Sequence, residues 1–263
     1  MIEYLKTAFL IILSAYIIIM ILLYTKQDSL VFAGAYILKS KIEQNEYISK
    51  NTLPVSIKIN EDLLLHGSKT VNNSKNLIIY FGGNAENVTN FISMMECIKT
   101  TDIIGFNYRG FGKSEGYPSQ EKLYSDALDI YDNYKDKYKN ISIIGRSLGT
   151  AVASYTASKR DVDKLILITP FDSISNVAQD IYPFFPVKLL LKYPFDIQNL
   201  IKDINSSIYI LMVKDDEVIQ NKHTIALKKS INEIKVFKSI TNSGHNDIME
   251  DERLLEFIIK SLN

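Results

Sequence analysis

ISIIGRSLGTAVASYTA, residues Ile141 to Ala157, decides the fold. It opens on a short apolar run of the kind that forms a strand buried on both faces, and it closes on small apolar residues suited to a packed helix. Between the two stands Gly145-Arg146-Ser147-Leu148-Gly149, a G-x-S-x-G string. In that position the string reads as a sharp strand-to-helix turn. Its small residues lift the hydroxyl of Ser147 out of the sheet edge and turn the amide of Leu148 toward a developing oxyanion. The same letters also serve as a packing turn with no chemistry, so the surrounding chain must carry the assignment.

Outward from this turn, short apolar runs alternate with longer amphipathic stretches. The runs are NLIIYF (Asn76 to Phe81), DIIGFNY (Asp102 to Tyr108), ISIIG (Ile141 to Gly145), KLILIT (Lys164 to Thr169), SIYILMV (Ser207 to Val213) and EIKVF (Glu233 to Phe237). Most are nearly continuous in Ile, Leu and Val, which predicts a mostly parallel α/β sheet covered by helices on both faces, begun by an antiparallel pair from Val55 to His66. Helical periodicity follows Ala85 and returns over Gln120 to Tyr138, Leu148 to Ser158, Asn221 to Ser230 and Asp251 to Leu262. From residue 170 to 204 the texture becomes aromatic and rich in proline (Pro170, Pro183, Pro186, Pro194), and this segment is expected as a small cap over the carboxyl edge of the sheet.

A serine hydroxyl is a weak nucleophile until a base takes its proton, so a histidine held by a carboxylate is required. The chain has three histidines. His245 lies in the loop ITNSGHND after the last strand, where an imidazole can swing over the sheet edge. His66 belongs to an early strand, and His223 opens a helix, where a solvated or capping role is expected. The acid should follow the preceding strand, where VKDDEVIQ offers Asp215 and Asp216. Residue chemistry leaves that choice open, and one of the pair is expected to cap the helix near Asn221. A second oxyanion donor is expected from Phe81-Gly82-Gly83-Asn84-Ala85, with the amide of Asn84 as the candidate.

Lys plus Arg equals Asp plus Glu at 30 each, so no net positive field recruits nucleic acid. Cys97 is the single cysteine, which excludes an intramolecular disulfide framework and a thiolate metal cluster. The run AFLIILSAYIIIMILLY, Ala8 to Tyr24, carries no charge and covers most of a hydrocarbon core of about 30 Å at about 1.5 Å per residue. It reads as a membrane anchor, with Lys6 reaching back to the headgroups and Tyr24 and Lys26 at the other interface. A cleaved signal peptide or a buried helix fits less well, because the run exceeds a signal core and TKQDS separates it from the small residues Ala33-Gly34-Ala35. Lys26, Lys39 and Lys41 after the span, against Lys6 before it, do not orient the domain. The expected organisation is an anchor with its flanks over residues 1–29 and a catalytic domain over 30–263, with the cap inserted at 170–204.

Four separated segments together resemble the α/β-hydrolase superfamily, and within it the membrane-anchored Bem46-like serine hydrolases related to eukaryotic protein depalmitoylases. They are FGGNAEN, NYRGFGKSEGYPSQEKLYSDA, GRSLG, and DEVI followed by SGHNDI. Tyr108 to Gly116 resembles that family's Y-R-G-[FY]-G-x-S-x-G stretch. The resemblance implies an α/β-hydrolase fold with Ser147 as nucleophile, Asp216 as acid and His245 as base. It implies Leu148 and Asn84 as oxyanion donors, and for Arg109 and Glu115 roles in shaping the loop. Where the family has His-Gly-Asn this chain has Gly82-Gly83-Asn84, so a histidine that orders the loop is absent.

The expected activity is hydrolysis of an ester or thioester of a hydrophobic acyl group through an acyl-enzyme, with no cofactor or metal, at a membrane. The competing expectations are a serine peptidase or amidase acting on small peptides, and a catalytically silent scaffold of the same fold.

Overall fold

The computed structural model describes residues 1–37, 51–59 and 63–262; Lys39 and Lys41 lie outside them. The strands are β1 (Thr52–Ile59), β2 (Leu63–Thr70), β3 (Asn76–Phe81), β4 (Asp102–Phe106), β5 (Asn140–Arg146), β6 (Lys164–Ile168), β7 (Ser207–Val213) and β8 (Val236–Ile240). The helices are α1 (Ile2–Val31), α2 (Val88–Met94), α3 (Gln120–Tyr134), α4 (Leu148–Lys159), α5 (Ile174–Ile181), α6 (Val187–Leu190), α7 (Ile197–Leu200), α8 (Asn221–Lys229) and α9 (Glu252–Leu262).

The strands form an eight-stranded sheet in the order β1-β2-β4-β3-β5-β6-β7-β8. The pairs β1–β2 and β2–β4 are antiparallel and all the others parallel. Leu77, Ile79, Phe81, Ile143, Leu165 and Leu167 point to one face, where α3 and α4 cover them with Leu123, Ala127, Ile130, Ala151 and Val152. Ile78, Tyr80, Ile144, Ile166 and Ile168 point to the other, under Phe91 and Ile92 of α2 and Leu254, Phe257 and Ile258 of α9. Both faces of each central strand are buried, which is why the strand sequences show no polar alternation. Burial of each such side chain contributes on the order of 1.5–3 kcal/mol.

Among the boundaries that differ from the sequence reading, two have a visible cause. Helix α3 ends at Tyr134 rather than Tyr138, because the chain turns so that the Tyr138 hydroxyl donates to Asp102 Oδ2 at 3.0 Å. The last strand begins at Val236 rather than Glu233, since Ile231 and Ile234 pack on the core from the connecting loop and mimic a strand's apolar letters.

Helix α1 is the one helix among the described residues long and apolar enough to cross a membrane. Between Ala8 and Gln27 every residue is exposed except Tyr16, Met20, Leu23 and Gln27, which recur at helical spacing along one stripe. That stripe meets the 170–204 segment. Tyr16 stacks on Phe185 with ring centroids 4.9 Å apart, and Gln27 Nε2 donates to Leu190 O at 2.9 Å.

Candidate active site

Strand β3 has β4 on one side and β5 on the other, so the chain leaves β3 and β5 at a point where the strand order reverses. That is where open α/β sheets hold their ligands. The register sets Phe81 beside Gly145, which brings the loop after β3 against the turn after β5. A Cβ on Gly149 would fall 2.0 Å from the Phe81 carbonyl oxygen, so only glycine lets α4 start this close to β3. Ser147, at the apex, has φ +49° and ψ −120°, a conformation that costs about 1–3 kcal/mol for a residue with a side chain.

Ser147 Oγ lies 3.0 Å from His245 Nε2, and His245 Nδ1 lies 2.8 Å from Asp216 Oδ2. The Asp216 side chain is 2% exposed and that of His245 6%. The other oxygen of Asp216 accepts the amides of Val218 at 2.9 Å and Ile219 at 2.6 Å, which leaves Oδ2 facing the imidazole. Asp215 points away and accepts the amide of Asn242 at 2.6 Å. Neither aspartate caps α8, whose first turn has no side-chain cap. The His245 amide donates to Glu217 Oε2 at 3.0 Å and holds the Glu217 carboxyl below its ordinary range.

The other two histidines stay apart from Ser147. His66 Nδ1 lies 3.0 Å from Ser56 Oγ across the β1–β2 pair. His223 is buried rather than solvated. Its Nδ1 lies 3.0 Å from Asp172 and its Nε2 2.8 Å from Asp180, so it ties α8 to α5. Among the described residues no group of three or more His, Cys, Asp or Glu is placed to hold a metal ion.

Leu148 is the first residue of α4, so its amide has no acceptor within the helix. Asn84 lies in the loop after β3 and, with Ser147 and Leu148, lines one cavity. The loop has no histidine at Gly82, and Glu86 holds it instead. Its carboxylate accepts the Gly83 amide at 2.9 Å, Arg146 Nη1 at 2.9 Å and the Tyr80 hydroxyl. Arg146 continues through Nη2 to His245 O and Asn246 Oδ1, each at 2.9 Å, so one guanidinium spans the loop after β3 and the histidine loop. Burial opposes the charge of Arg146, but Glu86, Tyr80 and Asp216 outweigh it and hold the guanidinium above its ordinary range. Burial, reinforced by Glu86, pushes the Tyr80 phenol up, which keeps it a neutral donor. Tyr108 donates to Gly82 O at 2.9 Å, Arg109 forms a buried bidentate pair with Asp126, and Glu115 accepts the Leu64 amide at 3.0 Å. Glu86, Arg146 and Asn246 are absent from the sequence-derived site; the only signal for them was an Arg beside Ser147 and an acid just past the glycine pair.

Two cavities meet at Ser147. One, of about 270 Å³, is apolar and walled by Phe171, Val177, Ile181, Phe185 and Leu190 together with residues of α1. The other, of about 410 Å³, is mixed, with Asn84, Asn107, Arg146, His245 and Asn246 beside Phe111 and Met249.

The family model described as alpha/beta hydrolase fold matches residues 76–199. An uncharacterised protein of Mycobacterium tuberculosis is 28% identical over 149 residues, 55% of this chain and 53% of its own length. The human alpha/beta hydrolase domain-containing protein 17B is 28% identical over 204 residues, 72% of this chain and 68% of its own. The chain thus spans about half of the mycobacterial relative, from a shared 53%. Among solved structures, a Pyrococcus furiosus esterase superposes with TM-score 0.63 at 19% identity, covering 81% of this chain and 93% of its own. A structure described as a membrane phospholipase A and bacterial virulence factor gives 0.65 at 14% identity, covering 100% of both chains. At these identities the solved structures speak for the fold.

Proposed function

This chain is an α/β-hydrolase by fold, and from that premise we propose that it is a serine hydrolase cleaving ester or thioester bonds of hydrophobic acyl substrates. The observation that carries the reading is the buried, hydrogen-bonded succession Ser147, His245, Asp216 set where an apolar cavity and a more polar one meet. The acyl chain belongs in the apolar cavity and the leaving group in the more polar one.

In this mechanism Oγ of Ser147 attacks the carbonyl carbon while Nε2 of His245 takes its proton, and the charge on the carbonyl oxygen is met by the amides of Leu148 and Asn84. Asp216 orients the imidazole and stabilises the imidazolium without being protonated. The intermediate collapses as His245 returns the proton to the departing alcohol or thiol. Water, deprotonated by His245, then attacks the acyl-serine, and His245 returns that proton to Oγ as the acid departs and the serine is freed.

Helix α1 serves as an uncleaved membrane anchor in this reading. Gln27 and the buried Phe32, on the amino side of Ala33, are packed into the folded domain, which supports retention over removal as a signal peptide. The test is steady-state hydrolysis of p-nitrophenyl esters from acetate to palmitate by the detergent-solubilised protein, with peptide amides in parallel. Ester turnover lost in Ser147→Ala and His245→Ala is expected; amide cleavage without ester cleavage would replace this reading with a peptidase.

A further inference from the structure

A tether needs nothing from an active site, yet α1 is built into this one. Met20 and Leu23 stand on the stripe of α1 that meets the 170–204 segment, and together with Leu30 they line the apolar cavity that reaches Ser147. Gln27, between them, is buried and used twice: its Nε2 donates to Leu190 O at 2.9 Å and its Oε1 accepts the Lys192 amide at 2.8 Å. Leu190 ends α6 and Lys192 lies two residues beyond it, so these bonds fix the rotation of α1 and keep its stripe turned inward. Just beyond the helix, the Gly34 amide donates to Asn84 O at 2.7 Å, and a Cβ on Gly34 would lie 2.4 Å from the ring of Phe111. The same segment that follows the apolar helix therefore braces the loop carrying Asn84.

Resting on the serine-hydrolase reading, we infer that α1 is one wall of the acyl site, with Met20 and Leu23 setting acyl-chain preference. The exposed apolar run from Ala8 to Tyr24 belongs in hydrocarbon, and Met20 and Leu23 close that run. The cavity they wall thus sits at the edge of the bilayer. An acyl chain in the space between α1 and the cap keeps its methylenes out of water.

The experiment uses the full-length protein reconstituted in phosphatidylcholine vesicles and reads the ratio of kcat/KM for p-nitrophenyl palmitate to that for p-nitrophenyl acetate. Leu23→Trp and Met20→Trp, which fill the cavity, are expected to lower this ratio about tenfold, the scale on which a pocket discriminates by chain volume. Ile12→Trp, at a residue of the same helix that is 69% exposed and outside the cavity, leaves the ratio unchanged. Fluorophosphonate labelling of Ser147 in each variant verifies an intact site. A labelled Leu23→Trp protein with the wild-type ratio would overturn the role of α1 and leave the hydrolase standing. A folded wild type that neither labels nor cleaves any ester would instead remove the hydrolase reading, and this inference with it.

Discussion

Asp215 and Asp216 are neighbours with the same chemistry and different partners. Only Asp216 faces the imidazole, because two amides of its own loop hold its other oxygen. Asp216→Asn places an N–H donor against Nδ1 and favours the wrong tautomer, so kcat should fall by about 10⁴ while Asp215→Asn stays within a few-fold, as measured by ester hydrolysis. Glu86→Gln leaves Arg146 with no charged partner in a buried site and should destabilise the fold by about 3–5 kcal/mol, read by denaturant unfolding. An unchanged unfolding midpoint would show that Asn246 and the His245 carbonyl suffice for Arg146. Ser147 and His245 were legible in the sequence because a motif marks one and the scarcity of histidine isolates the other. The choice between the aspartates was not legible, since it depends on how a loop twists. The Glu86–Arg146 pair was hidden for another reason: its partners are 60 residues apart and meet only because β3 and β5 are neighbours.

At the scale of elements, the turn after β5 works only if α4 begins against the end of β3. Gly149→Ala forces a methyl into the Phe81 carbonyl, and we expect a loss of about 1–3 kcal/mol together with slower labelling of Ser147. A protein of full stability and normal labelling rate would mean that the close approach is dispensable. The link between α8 and α5 through His223 makes a second prediction. His223→Leu leaves Asp172 and Asp180 without the imidazole between them, and faster amide exchange is expected over Ile174–Ile181, with the sheet unaffected. Central strands wrote themselves as continuous apolar runs and were found within a residue or two of their ends. The edge strand β8 was misplaced because apolar residues of the preceding loop also face the core, and an apolar letter does not say which element buries it.

For the molecule as a whole, the order of strands, the site at the reversal of that order and the apolar helix at its rim make one arrangement. The chain should remain with membranes through an alkaline carbonate wash, and its intact mass should include residues 1–35; a mature protein starting near Tyr36 would mean that α1 is removed and would take a wall of the cavity with it. The α/β fold was legible because its strands are buried on both faces. The packing of α1 on the 170–204 segment was not, because a helix suited to lipid and a helix walling an apolar cavity present the same letters, and only the stripe Tyr16, Met20, Leu23, Gln27 separates them. The central claim, that Ser147 is an activated nucleophile, is tested most directly by intact-mass analysis after exposure to a fluorophosphonate. One adduct, located on Ser147 and absent from Ser147→Ala and His245→Ala, is the predicted result; a folded wild-type protein that stays unmodified would contradict it.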